Sequence, residues 1–198
     1  PIDDLITQIA NEKNPGTSPL VTTLAAHAAH IDGLNDVATV MMAPLVTPKD
    51  AAPIALLLGA QYARSDVAYP EQARRTNEKE LYTRVIAADP KLWYARAWLV
   101  LDDAEQRGLV EAVEPLRKIA SDVPGVPEVT EQLARVYGKL GWRAERMRTV
   151  KDLAERFPDD RDAISLQVSA LEEDGALVEA DKVVTEQLAT VEGLADKP

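Results

Sequence analysis

The stretch RVIAADPKLW, residues 84–93, carries the end of one predicted helix and the beginning of the next, with Asp89-Pro90 between them. Thirty-four residues further on the chain reads KIASDVPGV with Pro124, and after another thirty-four it reads LAERFPDDR with Pro158. The residue before a proline is pushed away from helical backbone angles, so each of these prolines predicts the end of a helix. A proline that recurs at a fixed interval predicts a fold of repeated helical units.

An apolar register accompanies the spaced prolines, the first of which is Pro48. The residues eight and five positions before each proline are Val40 and Ala43, Tyr82 and Val85, Leu116 and Ile119, and Val150 and Leu153. Val184 continues the register before Glu192, where the proline itself is missing. Side chains three positions apart share a helix face, so the register predicts the buried face of the second helix in each unit.

Glycines divide each predicted unit into two helices. Three of them lie 15 to 17 residues before the next proline, and a fourth lies 17 residues before Glu192. The set is Gly33, Gly108, Gly141 and Gly175. Glycine ends a helix readily because it adopts left-handed backbone angles at low cost. Each unit is therefore predicted to run helix, glycine turn, helix, proline.

One unit is longer than the others. The step from Pro48 to Pro90 is 42 residues, and no glycine marks its central turn. We predict that the extra residues, about eight, form an extended loop at 65–77 between two helices. Pro115 is compatible with a helix only if that helix begins late, near Ala112, because an interior proline removes a hydrogen bond.

The composition fits a folded helical protein and restricts its partners. The 198 residues are 46% hydrophobic and 5% aromatic, with a formal net charge of −11. An acidic chain is unsuited to a phosphate backbone or an anionic membrane surface, and no apolar run approaches transmembrane length, so we predict neither nucleic-acid binding nor direct membrane insertion. The absence of cysteine excludes disulfides and thiolate metal sites, and it leaves both a cytoplasmic and a periplasmic location open.

The repeated pattern resembles the tetratricopeptide repeat (TPR), a 34-residue helix–turn–helix unit. The first-helix signature of that family, Leu-Gly-x-x-Tyr, appears in LGAQY (residues 58–62) and, with Ala for Gly, in LARVY (residues 133–137). The second-helix signature, an alanine followed by a large apolar residue and a closing proline, fits residues 112–124. Glu78 and Arg146 depart from it, since they stand where the alanine is expected.

The resemblance implies an all-α fold, an α-solenoid of about five antiparallel helix–turn–helix repeats wound into a right-handed superhelix. Stacked hairpins bury a continuous core in which each hairpin touches mainly its neighbours. An N-terminal cap helix is predicted at 1–14, followed by a TPR-like helical repeat domain at 15–198. The approximate units are 15–48, 49–90 with the insertion, 91–124, 125–158 and 159–192.

The resemblance also implies a concave groove, lined by the inner sides of the first helices, that binds a partner. Projecting the repeat register onto the sequence places these residues in the groove: Leu56, Ala60, Arg64, Tyr94, Leu101, Glu105, Glu128, Glu131, Arg135, Lys139, Glu172 and Glu173. The set mixes apolar, acidic and basic groups. It lacks the collection of Lys, Arg and Asn with which some family members clamp a C-terminal carboxylate, so that mode of binding is not predicted.

Two local clusters each have two interpretations. The aromatic residues of LWYARAW, which are Trp93, Tyr94 and Trp98, are either a binding hot spot or packing between repeats. The segment WRAERMR, residues 142–148, is either a basic contact for an acidic partner or a solvated helix face.

His27 and His30 lie three positions apart, so both can occupy one side of a helix. They are either half of a zinc or nickel site or ordinary helix residues that pack or face solvent. No further ligand is marked near them, so we predict no metal site. The sequence has no nucleophile elbow, glycine-rich phosphate loop or His-Glu-x-x-His motif, so we predict no cofactor and no catalytic residue.

The leading functional hypothesis is a non-catalytic scaffold that binds a peptide or a protein surface in its groove. A second hypothesis is an accessory or regulatory TPR region of a larger bacterial enzyme or secretion-system protein, because the sequence begins at Pro1 and not at Met. A third is a cytoplasmic secretion chaperone with an apolar client. The full-length reading frame distinguishes the first two, and co-purification with a secreted client tests the third.

Overall fold

A computed structural model describes the backbone of residues 18–195 and the side chains of residues 18–187. Regular structure in that range is helical, with no strand, which confirms the all-α prediction. Between residues 18 and 195 the α-helices follow one another along the chain as five pairs: α1 (Pro19–Ile31) and α2 (Asn35–Val46), α3 (Pro53–Ser65) and α4 (Glu71–Ala88), α5 (Trp93–Arg107) and α6 (Val113–Asp122), α7 (Pro127–Leu140) and α8 (Arg143–Arg156), α9 (Arg161–Glu173) and α10 (Leu177–Ala195). A short 3₁₀ turn, Leu109–Ala112, precedes α6. The cap helix predicted at 1–14 lies outside the described residues.

The chain divides into two units, Pro1–Leu99 and Val100–Pro198. In the N-terminal unit α1 packs on α2, α2 on α3, and α3 on α4. In the C-terminal unit α6 packs on α7, α7 on α8, α8 on α9, and α9 on α10. Contact between successive helices is the pattern expected of stacked hairpins. No helix in the described part of the chain is long and apolar enough to cross a membrane.

The prolines and glycines end the helices where the sequence predicts. Each spaced proline lies two residues beyond the end of a second helix, as Pro158 does after Arg156. The four predicted glycines have positive φ, between 72° and 110°. At Gly141 the chain turns out of α7, and the N–H of Trp142 donates to the Tyr137 carbonyl at 2.9 Å. These local signals therefore define the hairpins.

The apolar register is confirmed for three of the second helices and fails in α2. The buried residues are Tyr82, Val85, Leu116, Ile119, Val150 and Leu153, all at most 2% exposed. In α2, by contrast, Val40 is 65% exposed, and Met41 and Met42 are buried in its place. Adjacent residues point roughly 100° apart around a helix, so burying Met41 turns Val40 towards solvent. The long methionine side chains fill the space above the small alanines of α1, Ala25, Ala26 and Ala29.

The prediction of an extended loop at 65–77 is corrected by the structure, which leaves only residues 66–70 outside a helix. The Asp66 carboxylate accepts the backbone N–H of Ala68 at 3.0 Å and holds this short turn. Residues 71–77 contain neither proline nor glycine, so nothing in them interrupts a helix. The extra residues therefore lengthen α4 to 18 residues. Pro115 falls in the first turn of α6, in agreement with its predicted late start.

Candidate protein-interaction surfaces

Two of the predicted groove residues of the N-terminal unit belong to its core. Leu56 and Ala60 are 1% and 0% exposed and pack in a cluster with Leu81 and Val85. Their side chains therefore offer no surface to a partner in this structure. Arg64 is exposed, and its guanidinium lies 3.4 Å from a carboxylate oxygen of the buried Glu78. The acidic residue that replaces the family's alanine is thus balanced by a cation from the preceding helix.

Tyr94 is the exposed member of the aromatic cluster. Its ring centroid lies 6.0 Å from that of Tyr82 and 5.6 Å from that of Trp93, and 38% of the residue remains exposed. Trp98 covers Tyr82 from another side at 4.8 Å. Burial raises the pKa of Tyr82, and the neighbouring Tyr94 and Glu78 raise it further. Most of the cluster is therefore packing: Trp93 and Trp98 are partly buried, and Tyr94 is the most exposed of the three.

In the C-terminal unit, α5 and α7 carry six of the predicted groove residues. Leu101 is partly buried, and the exposed ones are Glu105, Glu128, Arg135 and Lys139. Glu131 is only 4% exposed. Burial raises the pKa of Glu131, and the carboxylates of Asp160 and Asp162 raise it further, while Arg135 opposes the shift. Glu131 therefore faces the start of α9 inside the unit, and its prediction as a surface residue does not match its burial.

Glu173 is already engaged within the unit by Arg146. The Arg146 guanidinium donates from Nη1 to Glu173 and from Nη2 to the Ser169 hydroxyl, the latter at 3.3 Å. Arg146 is only 9% exposed, and a Cβ on Gly138 would lie 3.3 Å from its Nε. The basic segment 142–148 is thus interrupted, because its central arginine points inwards.

We expect Arg146→Met to leave the free energy of unfolding within about 1.5 kcal/mol of wild type, because methionine fills much of the volume of the arginine stem and the Glu173 side chain, 60% exposed, stays hydrated without its partner. Arg146→Ala should cost about 2 kcal/mol or more, because it leaves a cavity beside Gly138. Urea denaturation followed by circular dichroism measures both. A methionine variant as unstable as the alanine variant would show that the charge itself is required.

An apolar cavity of about 510 Å³ lies between α9 and α10. Its lining is Arg161, Ile164, Ser165, Val168, Ser169, Glu172, Val184 and Gln187. Of these, only Glu172 belongs to the predicted groove. Ile164 and Val168 are apolar and lie four positions apart on α9, the first helix of the last described pair. That spacing is the sequence signal that could have identified the cavity residues.

Val184 shows why this cavity exists. The register predicts it as buried, and its counterpart Val150 is 0% exposed, yet Val184 is 40% exposed. Val150 and Leu153 are covered by Ala163 and Leu166 of the following helix, α9. Because α10 is the last helix of the described residues, nothing in them packs on Val184 in the same way.

The two histidines are held by neighbouring side chains. Nδ1 of His27 lies 3.0 Å from the Tyr62 hydroxyl, and Nδ1 of His30 lies 2.7 Å from Oδ1 of Asn35. Tyr62 is fully buried, and this burial raises its pKa. Within residues 18–187, no three His, Cys, Asp or Glu side chains are placed to hold a metal ion. These contacts favour the interpretation of both histidines as ordinary packing residues.

Helical hairpins turned by glycine, closed by proline and packed in sequence define a TPR-like helical-repeat fold. Comparison with solved structures confirms this fold. The chain is similar to a thermophilic TPR protein of Thermus thermophilus, with a TM-score of 0.65 and 17% identity over 86% of this chain and 90% of that one. It is also similar to MamA, with a TM-score of 0.62 and 15% identity over 87% of this chain and 97% of MamA.

By sequence, no protein-family model and no curated protein matches the chain. The structural likeness at 15% to 17% identity concerns the fold alone.

Proposed function

We propose that this protein is a non-catalytic interaction module that binds a helical segment of a protein partner. The contact is the α9–α10 surface, defined as Arg161, Ile164, Val168, Glu172, Val184 and Gln187. The observation that carries the proposal is the open apolar cavity between α9 and α10. A cavity with an apolar lining and a few polar groups at its edge is typical of a binding site.

The repeat itself supports a helix as the occupant. In the preceding pair, α7 and α8, the equivalent face is covered by helix α9. Ala163, Leu166 and Ala170 of α9 pack in one cluster with Val150 and Leu153 of α8. These three residues are spaced by three and four positions, which puts them on one helix face. A partner helix with small and apolar residues at that spacing would bury Val184 in the same manner. This is the helix-in-groove mode of recognition.

Charge at the edge of the cavity supports selectivity. Arg161 and Glu172 lie on α9 at opposite ends of the lining, eleven residues apart in sequence. A bound helix with an acidic residue near one end and a basic residue near the other would complement both. Such peripheral charges affect the choice of partner and the rate of association more than the affinity.

The exposed members of the predicted groove are proposed as additional contacts within their own units. Arg135 and Lys139 on α7 present cations to an acidic segment, and Tyr94 presents an aromatic ring in the N-terminal unit. Tyrosine and arginine are enriched among residues that dominate binding energy. The buried residues Leu56, Ala60 and Glu131 are not part of this proposal.

The test is a display selection of amphipathic helical peptides on the immobilised protein, followed by fluorescence anisotropy with the enriched peptide. Val184→Gln is expected to weaken binding about tenfold, since it places an amide where an apolar side chain must be buried. Val178→Gln is the matched control, because Val178 lies on the same helix, is 81% exposed and does not line the cavity. Equal effects of the two variants, or no enrichment over an unrelated helical protein, would contradict the proposal.

A further inference from the structure

A second cavity, of about 310 Å³, lies wholly within the N-terminal unit, beside the turn that joins α3 to α4. Its lining comes from α2, the end of α3, the 66–70 turn and the start of α4. The lining residues are Thr39, Ala63, Asp66, Tyr69, Ala73, Arg74 and Asn77. This volume is at the lower end of the range for ligand sites, roughly 300 Å³, and so suits a small metabolite.

Arg74 lines this cavity and carries one unsatisfied donor. Its Nη1 donates to the Arg64 carbonyl at 2.9 Å, which anchors the guanidinium. Its Nε–H is buried and has no hydrogen-bond partner. A buried donor without an acceptor is costly, and native structures normally provide a partner for it. A carboxylate is an acceptor whose two oxygens match the planar fork of a guanidinium and form charge-assisted hydrogen bonds with it.

Asp66 supplies the opposite charge on the same cavity. Only 2% of this residue is exposed, and Oδ1 accepts the N–H of Ala68 at 3.0 Å. An ionised carboxylate has about four acceptor positions, so this contact leaves capacity for a bound donor. No hydrogen bond or ion pair between Asp66 and Arg74 occurs among the described side chains. The cavity is therefore lined by an acidic and a basic side chain that are not paired with each other.

From these observations we infer that the cavity binds a free α-amino acid. The carboxylate accepts from Arg74, and the ammonium donates to Asp66. Asn77 and Tyr69 provide further polar groups at the edge, while Ala63 and Ala73 leave room for a short side chain. This site is independent of the α9–α10 surface, because it lies in the other unit and requires no peptide.

The experiment is isothermal titration calorimetry of the whole protein with single L-amino acids having short side chains, beginning with alanine and serine. Two derivatives of the best binder separate the charges. The amino acid amide lacks the carboxylate, and the N-acetyl amino acid lacks the ammonium. Each is expected to bind at least about tenfold more weakly than the zwitterion, as a lost charge-assisted hydrogen bond predicts. An N-acetyl derivative that binds equally well would point to a peptide C-terminus as the source of the carboxylate and would overturn the assignment.

Asp66→Asn is the decisive variant, because the amide oxygen can still accept the Ala68 N–H and keep the turn. It is expected to lose at least about tenfold in affinity for the amino acid and to retain the urea-unfolding midpoint of wild type. Glu71→Gln is the matched control, because it also replaces a carboxylate by an amide near the start of α4, but Glu71 is exposed and does not line the cavity; it is expected to leave the affinity unchanged. The absence of binding by every amino acid tested, or full affinity in Asp66→Asn, would show that the cavity holds only water.

Discussion

Tyr82→Ala is expected to lower the free energy of unfolding of the N-terminal unit by about 3 to 5 kcal/mol, the usual cost of removing a buried aromatic ring. Tyr82 is 1% exposed, and the rings of Trp98 and Tyr94 lie against it at 4.8 and 6.0 Å. The rings of Tyr94 and Trp98 cannot easily move into the cavity left behind, because both residues are part of helix α5. Urea denaturation followed by tryptophan fluorescence measures the loss. A cost below about 1 kcal/mol would show that the cluster rearranges.

Tyr82→Phe is the matched control, because it keeps the ring and removes the hydroxyl. Burial raises the pKa of the Tyr82 hydroxyl far above its ordinary value of 10.0. The folded protein therefore keeps this proton while the unfolded chain releases it, so the stability present below about pH 10 is lost progressively above it. Wild type is expected to lose stability more steeply than Tyr82→Phe as the pH rises past that value. If the free energy of unfolding fell equally with pH in both proteins, Tyr82 would ionise as readily in the folded protein as in the unfolded chain.

Val150→Ala is expected to cost about 2 to 3 kcal/mol, whereas Val40→Ala should change the free energy of unfolding by less than about 0.5 kcal/mol. The two valines occupy the same position of the repeat, eight residues before the closing proline. Val150 is 0% exposed and is covered by α9, while Val40 is 65% exposed. The comparison therefore separates the contribution of repeat position from the contribution of burial.

Chemical denaturation of the two variants, each compared with wild type, is the measurement. Circular dichroism reports on helix content in both units, and the fluorescence of Trp142 reports on the C-terminal unit in which Val150 lies. A similar loss in both variants would mean that α2 packs in the register of the other second helices. Such a result would contradict the burial of Met41 and Met42.

The candidate sites were predictable only in part. Arg135 and Glu172, which the repeat register assigns to the groove, are exposed on first helices, as a contact residue must be. The register also placed Leu56, Ala60 and Glu131 on a surface, although neighbouring helices cover them. Such a register gives the direction of a side chain around its own helix. Whether that side chain is buried depends on how closely the next helix approaches, and the approach is decided by side chains that are distant in sequence.

The two departures from the family's alanine illustrate the same limit. Glu78 and Arg146 are visible in the sequence as misfits, but their partners are not. Glu78 is balanced by Arg64 of the preceding helix, and Arg146 by Glu173 of the following one. A charge of either sign is accommodated because a more exposed counter-charge from another helix lies against it.

The sequence by itself determined the helical class, the repeat length and the ends of the hairpins. Those features depend on single residues acting on their own backbone: proline excludes the helical angles before it, and glycine adopts the left-handed turn. Only the tertiary structure decided which repeated positions are covered. Val150 and Val184 are equivalent in the register, yet one is buried and the other borders an open cavity. The reason is that burial requires a second helix to lie opposite, and no residue carries that information alone.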